Sequence, residues 1–372
     1  MARDAYGNGA AGGDAAARMR AFASEVRARP ELATMHALPE ALWRRMGGDG
    51  LLGLGTPKAY GGAELAPEEQ AALGETLVEV GRNLGVSTIW QGHNTLTRYL
   101  FGFADAAQKT RWLPRLAAGD TTVAVAISEP GVGAHPKHLS TRATPTADGW
   151  RLDGRKAYVT NGPLAGLFAV LAVTGEDAGR KRYSVFLVER GTPGLSFGEG
   201  HVGERLLPAG HCGLILEACA VAPGAVLGPL HDAYRAIAQP LRDVEDLLRL
   251  GPLVGAILAQ IDMIAERAEP GDEDREALGG LLARVAALRA LRRAAFAAMP
   301  AERRPLLLAV AGIARDAQAT LNGIRARNGL AEDAVLGRFA ADMDVILGIA
   351  RYVERSRLGA LADARLKPTD RP

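Results

Sequence analysis

Ile127-Ser128-Glu129-Pro130-Gly131-Val132-Gly133 and, further along, Lys156-Ala157-Tyr158-Val159-Thr160-Asn161-Gly162 are the two stretches on which the reading of this chain turns. Between them, Asp148-Gly149-Trp150-Arg151-Leu152-Asp153-Gly154 predicts one tight turn after another with strand-like segments on either side, so the block reads as β-structure carrying a polar edge. Such an edge suits a planar polar ligand. Hydroxyls at Ser128 and Thr160 satisfy ring heteroatoms, the glycines let the backbone approach closely, and Tyr158 offers an aromatic face. Taken as turns alone, the same glycines also suit a pair of ordinary hairpins.

Outward from this block the chain changes character in both directions. Residues 18–120 read as helices: Leu38-Pro39-Glu40-Ala41-Leu42-Trp43 opens one, and 68–82 repeats apolar positions at helical spacing. Gly47-Gly48-Asp49-Gly50 and Tyr60-Gly61-Gly62 punctuate them. Residues 121–229 hold short apolar runs broken by Gly/Pro turns, such as Tyr183-Ser184-Val185-Phe186-Leu187-Val188 and Gly213-Leu214-Ile215-Leu216. From Asp232 onward Ala, Leu and Arg dominate without β-branched clusters. This predicts a bundle of long helices cut at Glu269-Pro270-Gly271-Asp272-Glu273-Asp274 and at Met299-Pro300. The expected class is α+β, with an N-terminal helical domain over 1–120 (disordered over 1–17), a central β-domain over 121–230 and a C-terminal helical bundle over 231–372.

Composition narrows the function. At 372 residues the chain is long enough for two or three domains. With 44 Lys+Arg against 42 Asp+Glu the net charge is +2, too small a field to attract nucleic acid or a membrane surface. The two cysteines, Cys212 (beside His211) and Cys219, make no metal-ligand set, which points to a reducing cytoplasm and no metal. The Ala/Gly-rich start lacks the apolar core of a signal peptide, and the apolar run over 164–173 is too short to span a bilayer.

In order and spacing the two opening segments resemble the acyl-CoA dehydrogenase family, whose central β-domain carries a Thr/Ser-Glu-Pro-x-x-Gly segment and then a Lys-x-Trp-Ile-Thr-Asn-like one. Leu51-Leu52-Gly53-Leu54, Pro57, Tyr60-Gly61-Gly62, Lys109-Thr110-Arg111-Trp112-Leu113-Pro114, Ala118-Gly119-Asp120 and Arg190-Gly191-Thr192-Pro193-Gly194-Leu195 extend the likeness over nearly the whole chain. The resemblance implies FAD as cofactor. It also implies an acyl-CoA or acyl-carrier thioester as substrate, electron-transfer flavoprotein as a partner, and a homodimer or homotetramer. The implied chemistry is removal of the α-proton by a carboxylate while a hydride leaves the β-carbon for the flavin. It places the Ile127 backbone and the Ser128 hydroxyl at the pyrimidine end of the ring, Tyr158 as the stacking aromatic and Thr160 near the redox-active nitrogen. Ala134-His135 stands where the family has Ser-Asp beside the thioester-bearing arm, and His135, Lys137 and His138 would meet coenzyme A phosphates or simply form a solvated loop.

The base departs from the commoner pattern. Asn328-Gly329 followed by Gly337-Arg338-Phe339 and Asp342 resembles the stretch that leads to the usual Glu, but counting on puts Ala350-Arg351 in the Glu-Gly slot, or Leu347-Gly348 with a gap. A smaller group, typified by isovaleryl-CoA dehydrogenase, carries its base on the first C-terminal helix. In one register Glu245 of Arg242-Asp243-Val244-Glu245-Asp246 takes that place, with Gly251 and Gly255 as packing positions. In the other, Arg242 is a substrate-side arginine and Leu241 fills the base slot. The registers differ by one helical turn. Alternatively, Asp243, Glu245 and Asp246 form a solvated acidic turn paired with Arg242 or Arg249. On the cofactor's far half, Arg267 matches the family's Arg-x-x-Phe-Gly, whose Phe is Pro270 here. Gly323 replaces a Gln, and Ala326-Arg327 replaces a Gly-Gly pair, where Arg327 would pair with pyrophosphate or close the site. In the family these residues reach a neighbouring subunit's FAD. Three functions stay open: an FAD-dependent acyl-CoA dehydrogenase with Glu245 as base, a flavin enzyme of this fold with other chemistry, and a non-redox or regulatory protein of this fold.

Overall fold

In the computed structural model, residues 10–199, 204–349 and 351–366 are described. Five helices come first: α1 (Ala10–Arg27), α2 (Glu40–Gly48), α3 (Pro67–Gly81), α4 (Leu84–Phe101) and α5 (Ala106–Ala118). The stretch 10–17 expected to be disordered is part of α1. Ala15 and Met19 are fully buried, and docking that face against the first core holds the Ala-rich turn in place. Residues 1–9 of the expected disordered start lie outside the described residues.

Eight strands follow: β1 (Val123–Ala126), β2 (Arg142–Thr146), β3 (Gly149–Thr160), β4 (Leu167–Asp177), β5 (Arg180–Glu189), β6 (Leu195–Gly198), β7 (His211–Val221) and β8 (Val226–Leu227). They form one sheet in the order β6-β7-β3-β2-β4-β5-β8, with β1 pairing parallel to β4. The expected turn into β3 falls at Ala147-Asp148, with Gly149 opening the strand opposite Thr146, but Asp153-Gly154 is not a second turn. It is a bulge inside β3, where Gly154 has φ +148° and a Cβ would lie 2.7 Å from Thr141 Cα. The polar-looking pair therefore reads as a turn locally while the close approach of Thr141 keeps the strand running.

The C-terminal region is helical: α6 (Gln239–Leu248), entered through a π-helical turn at Tyr234–Ala238, then α7 (Leu250–Ala265), α8 (Asp272–Ala297), α9 (Pro300–Arg327), α10 (Ala334–Gly348) and α11 (Arg351–Leu366). The continuous helix Tyr234–Ala265 is long and apolar enough to cross a membrane, which the short run over 164–173 did not suggest; 78% of its most apolar window is buried inside the fold. It is a core helix by packing. One apolar cluster joins α1, α3 and α4 to α7–α10, a second joins α4 and α5 to the sheet and α6, and a third lies on the sheet's other face.

Helices α3 and α7 meet backbone to backbone. A Cβ on Gly251 would lie 1.7 Å from the Ala71 carbonyl oxygen, and one on Gly255 2.3 Å from that of Glu75. Because α6 runs directly into α7, this crossing sets where α6 lies. Gly251→Ala is expected to cost about 1–3 kcal/mol of stability by overpacking, checked by urea unfolding against Gly271→Ala, where a Cβ meets nothing within 4 Å.

Candidate functional site

The loop after β1 and the middle of β3 are joined by a buried ion pair. Lys156 Nζ donates to Glu129 Oε1 at 2.9 Å and to the Ile127 carbonyl at 3.1 Å; the two charged side chains are 0% and 5% exposed. Glu129 also accepts from the Ser140 amide and hydroxyl and from the Thr141 amide, four donated bonds in all. Burial pushes the Glu129 pKa up, but Lys156 and these donors outweigh it and bring it down to about 2. Burial pulls Lys156 down to about 8 against the attraction of Glu129, which leaves both groups ionised at neutral pH. The Ala157 amide donates to the Ser128 carbonyl at 2.9 Å, so the two opening segments lie side by side.

Beyond Lys156 a bulge displaces β3 from β7 until Val159, and Tyr158 sits in it at φ +57° and 52% exposed. An aromatic residue adopts that backbone only under local constraint, here the anchored Lys156 on one side and resumed pairing on the other. The next pair returns to register, Thr160 opposite His211. Asn161, at φ +60°, donates its amide to the Gly210 carbonyl and its Nδ2 to Thr122 Oγ1 at 3.4 Å. Thr122 meets His93 Nδ1 at 3.0 Å, and His93 Nε2 meets the Leu116 carbonyl at 3.1 Å. Since that carbonyl only accepts, Nε2 carries the proton and the Thr122 hydroxyl donates to Nδ1. Burial lowers the His93 pKa to about 4, so the ring is neutral at pH 7. The chain Asn161–Thr122–His93 thus braces the end of β3 against α4 and α5.

Thr160 lines a cavity of about 230 Å³ between α4, the sheet, α6 and the end of α10. Glu245 lines it too and is the one carboxylate among the described residues of its wall. Its acidic neighbours are spoken for: Asp246 accepts from Arg242 and Arg249, and Asp243 from Arg304 and Arg357. Glu245 makes no side-chain hydrogen bond or ion pair among the described residues, and burial raises its pKa while Arg249 and Arg242 pull the other way. Leu241, the rival for the base slot, is 3% exposed and packed in the second apolar cluster. Leu347-Gly348 closes α10, and Ile346 and Ile349 give the cavity apolar surface; Ala350 lies outside the described residues, and Arg351 opens α11.

The other expected residues are spread around this centre. Arg242 lines the cavity, tied to Asp246 at 2.9 Å. Ala134 and His135 lie in an exposed turn outside the cavity wall, where the His135 and His138 rings are 4.8 Å apart. Arg267 pairs with Asp333 at 3.0 Å, and Arg327 forks onto Asp274 at 2.5 Å and 2.9 Å. A Cβ on Gly323 would sit 3.4 Å from Arg327 Nη1, so this guanidinium lies over the position where the resemblance expects a Gln. The β-domain side fits a flavin ring, on an exposed aromatic at Tyr158, a Ser128 hydroxyl without a partner among the described residues, and Thr160 at the cavity. On the dinucleotide side, both arginines already hold carboxylates. No group of three or more His, Cys, Asp or Glu residues that could hold a metal occurs among the described residues.

Sequence reasoning missed Glu129, Lys156 and His93 as organisers. The signal for the first two was present, a lysine inside an apolar strand and a glutamate equally placed in its partner segment. His93 had none beyond a buried helix face.

The family model described as "Acyl-CoA dehydrogenase, N-terminal domain" matches residues 14–120, and the "Acyl-CoA dehydrogenase, middle domain" model matches 124–219, together more than half of the chain. The mitochondrial isovaleryl-CoA dehydrogenase of Solanum tuberosum is 30% identical over 224 residues, 60% of this chain and 54% of that protein. Among solved structures, butyryl-CoA dehydrogenase from Megasphaera elsdenii superposes with a TM-score of 0.85 at 20% identity, covering 96% of this chain and 100% of that one. An FAD complex of PigA gives 0.82 at 20% identity over 96% and 99%. The chain belongs to the acyl-CoA dehydrogenase family. It spans about half the length of the curated relatives it matches.

Lys156→Met leaves Glu129 buried and unpaired and is expected to cost about 3–5 kcal/mol, read by urea unfolding. The Glu129 pKa is lower in the fold than in the unfolded chain. Its contribution is therefore present above the ordinary carboxylate value and lost as pH falls toward about 2. A Glu129→Gln variant should lack that acid-dependent loss.

Proposed function

We propose that this chain is an FAD-dependent dehydrogenase of acyl thioesters in which Glu245 is the base. One observation carries the reading: a half-buried carboxylate without a hydrogen-bonding partner among the described residues faces a cavity that also meets Thr160, the last residue of the strand expected to hold the flavin. Asp246 is held by Arg242 and Arg249, the pairing that the acidic-turn alternative expects, and Asp243 by Arg304 and Arg357, whereas Glu245 has no such partner among the described residues. When bound, FAD supplies the acceptor for the β-hydride. Ile127, Ser128, Tyr158 and Thr160 would hold and orient the ring, and Arg267 and Arg327 would serve its phosphates only by sharing the carboxylates they now hold. Glu245 takes the α-proton: the C–H bond breaks, an O–H bond forms on the carboxyl, and the electron pair stays on the substrate carbon. Arg242 steadies Asp246 beside it, while Ala134 and His135 lie on the solvent side, where a coenzyme A or carrier arm would pass. Burial raises the Glu245 pKa, which suits proton abstraction near neutral pH. Self-association into a homodimer or homotetramer is part of the same reading, supported by Tyr352, Leu358, Leu361 and Leu366 exposed on α11.

Anaerobic mixing of the yellow holoprotein with a short acyl-CoA should bleach the flavin, and Glu245→Gln should slow that step at least ~100-fold. Undiminished bleaching in the variant removes Glu245 as base, and a colourless protein that FAD cannot reconstitute favours a non-redox role. The rate should rise with pH through a midpoint above the usual carboxylate range. Because the folded pKa is raised, the same group favours the fold in acid and loses that contribution as pH rises through it. Glu245→Gln should therefore be more stable than the parent at neutral pH, with the difference closing in acid, as read by urea unfolding.

A further inference from the structure

The Glu245 cavity has a smaller neighbour. A second cavity of about 80 Å³ lies between α7, α9, α10 and α11, and its lining is mostly apolar, with Leu253, Leu307, Val310, Ala311 and Leu347. Asp246 lines this second cavity and Glu245 the first, on neighbouring faces of the same helix. Arg242, Arg249, Ile346 and Ile349 line both, so these four side chains form the partition between them. Arg242 is its bar. The guanidinium forks onto Asp246, with Nε 3.0 Å from Oδ2 and Nη2 2.9 Å from Oδ1, and Nη2 also donates to the Ile349 carbonyl at 3.4 Å, which ties α6 to the end of α10. Arg249 adds a bond to Asp246 at 3.2 Å. The Arg242 and Asp246 side chains are 26% and 19% exposed, so the pair is mostly out of water.

An acyl chain growing from the Glu245 side therefore ends on a charge pair with apolar space behind it. Glu245 stands one helical turn from both Arg242 and Arg249, about 5–6 Å between Cβ atoms, a reach of roughly four carbon–carbon bonds. Three further methylenes would fit the second cavity and tighten binding roughly sixtyfold, at about fourfold each. Parting a mostly buried ion pair to admit them costs on the order of several hundredfold, because each charge loses its partner away from water. The pair wins.

We propose, resting on the reading that Glu245 faces the reacting acyl group, that the Arg242–Asp246 pair sets the chain-length limit of this protein. Short acyl groups that end at the partition are taken. Longer ones gain nothing from the apolar space beyond, because their ends cannot enter it without separating the two charges.

Calorimetric titration of the holoprotein with unreactive pantetheine thioethers tests this, because the pantetheine arm is common to coenzyme A and carrier proteins. In the parent, S-octyl-pantetheine should bind no more tightly than S-pentyl-pantetheine. In Arg242→Ala, where Asp246 keeps Arg249, the octyl arm should bind at least ~10-fold more tightly than the pentyl arm. Adding Ala311→Leu, which fills the second cavity from α9, should abolish that gain. The ratio between the two arms is the readout, so a change in affinity common to both does not count. An octyl arm that binds the parent at least ~10-fold more tightly than the pentyl arm overturns the proposal, and this needs no variant to fold. Equal binding of the two arms in Arg242→Ala, a gain that survives Ala311→Leu, or no binding by either arm also overturns it. Binding of a thioether needs no proton transfer, so failure of Glu245 as base would show in flavin bleaching and leave this length limit separately measurable.

Discussion

Glu129 and Lys156 bury opposite charges where the loop after β1 crosses β3, and much of the site hangs on that contact. A buried carboxylate is tolerable only when its lone pairs are met, and four donated bonds meet them here. The same bonds pin Ser140 and Thr141 at the entry to β2 and hold Ile127 and Ser128 beside β3. With Lys156 anchored, the bulge that follows has somewhere to start, and pairing resumes at Val159 and Thr160 with Tyr158 turned outward. The exposed aromatic and the cavity-facing hydroxyl are thus products of one ion pair and one extra residue in a strand. His93 secures the far end through Thr122 and Asn161.

The second constraint is the backbone contact between α3 and α7. Gly251 and Gly255 allow it, α6 is the continuation of α7, and Glu245 is carried on α6. A carboxylate without a partner in a cavity opposes folding at neutral pH, and the large core around α7 offsets it. Groups that weaken the fold where a ligand would sit are the expected mark of a binding site.

Much of the architecture was legible from the residues. Turn and strand signals around Asp148-Gly149, the helical periodicity over 68–82, and the breaks at Pro270-Gly271 and Met299-Pro300 are local, and local chemistry decides them. The errors were also local readings that distant packing overrode. Asp153-Gly154 looks like a turn until Thr141 is seen against the Gly154 Cα, and the Ala-rich start looks disordered until Ala15 and Met19 find the first core. The short apolar run over 164–173 drew attention away from the helix 234–265, whose apolar length is visible only when its segments are joined end to end.

By itself the sequence determined the family and the order of helical and β regions, because those depend on residue type and spacing. Whether Leu241 or Glu245 faces the cavity could not be read from spacing, since a shift of one helical turn keeps the same face inward. Tertiary structure decided it: Leu241 lies in the apolar cluster under the sheet, Asp243 and Asp246 are taken by arginines from α6, α9 and α11, and Glu245 alone is left facing the cavity. The pairing that frees one carboxylate and neutralises its neighbours joins residues more than a hundred positions apart in the chain, at Arg357 and Asp243. Only folding brings those charges within reach.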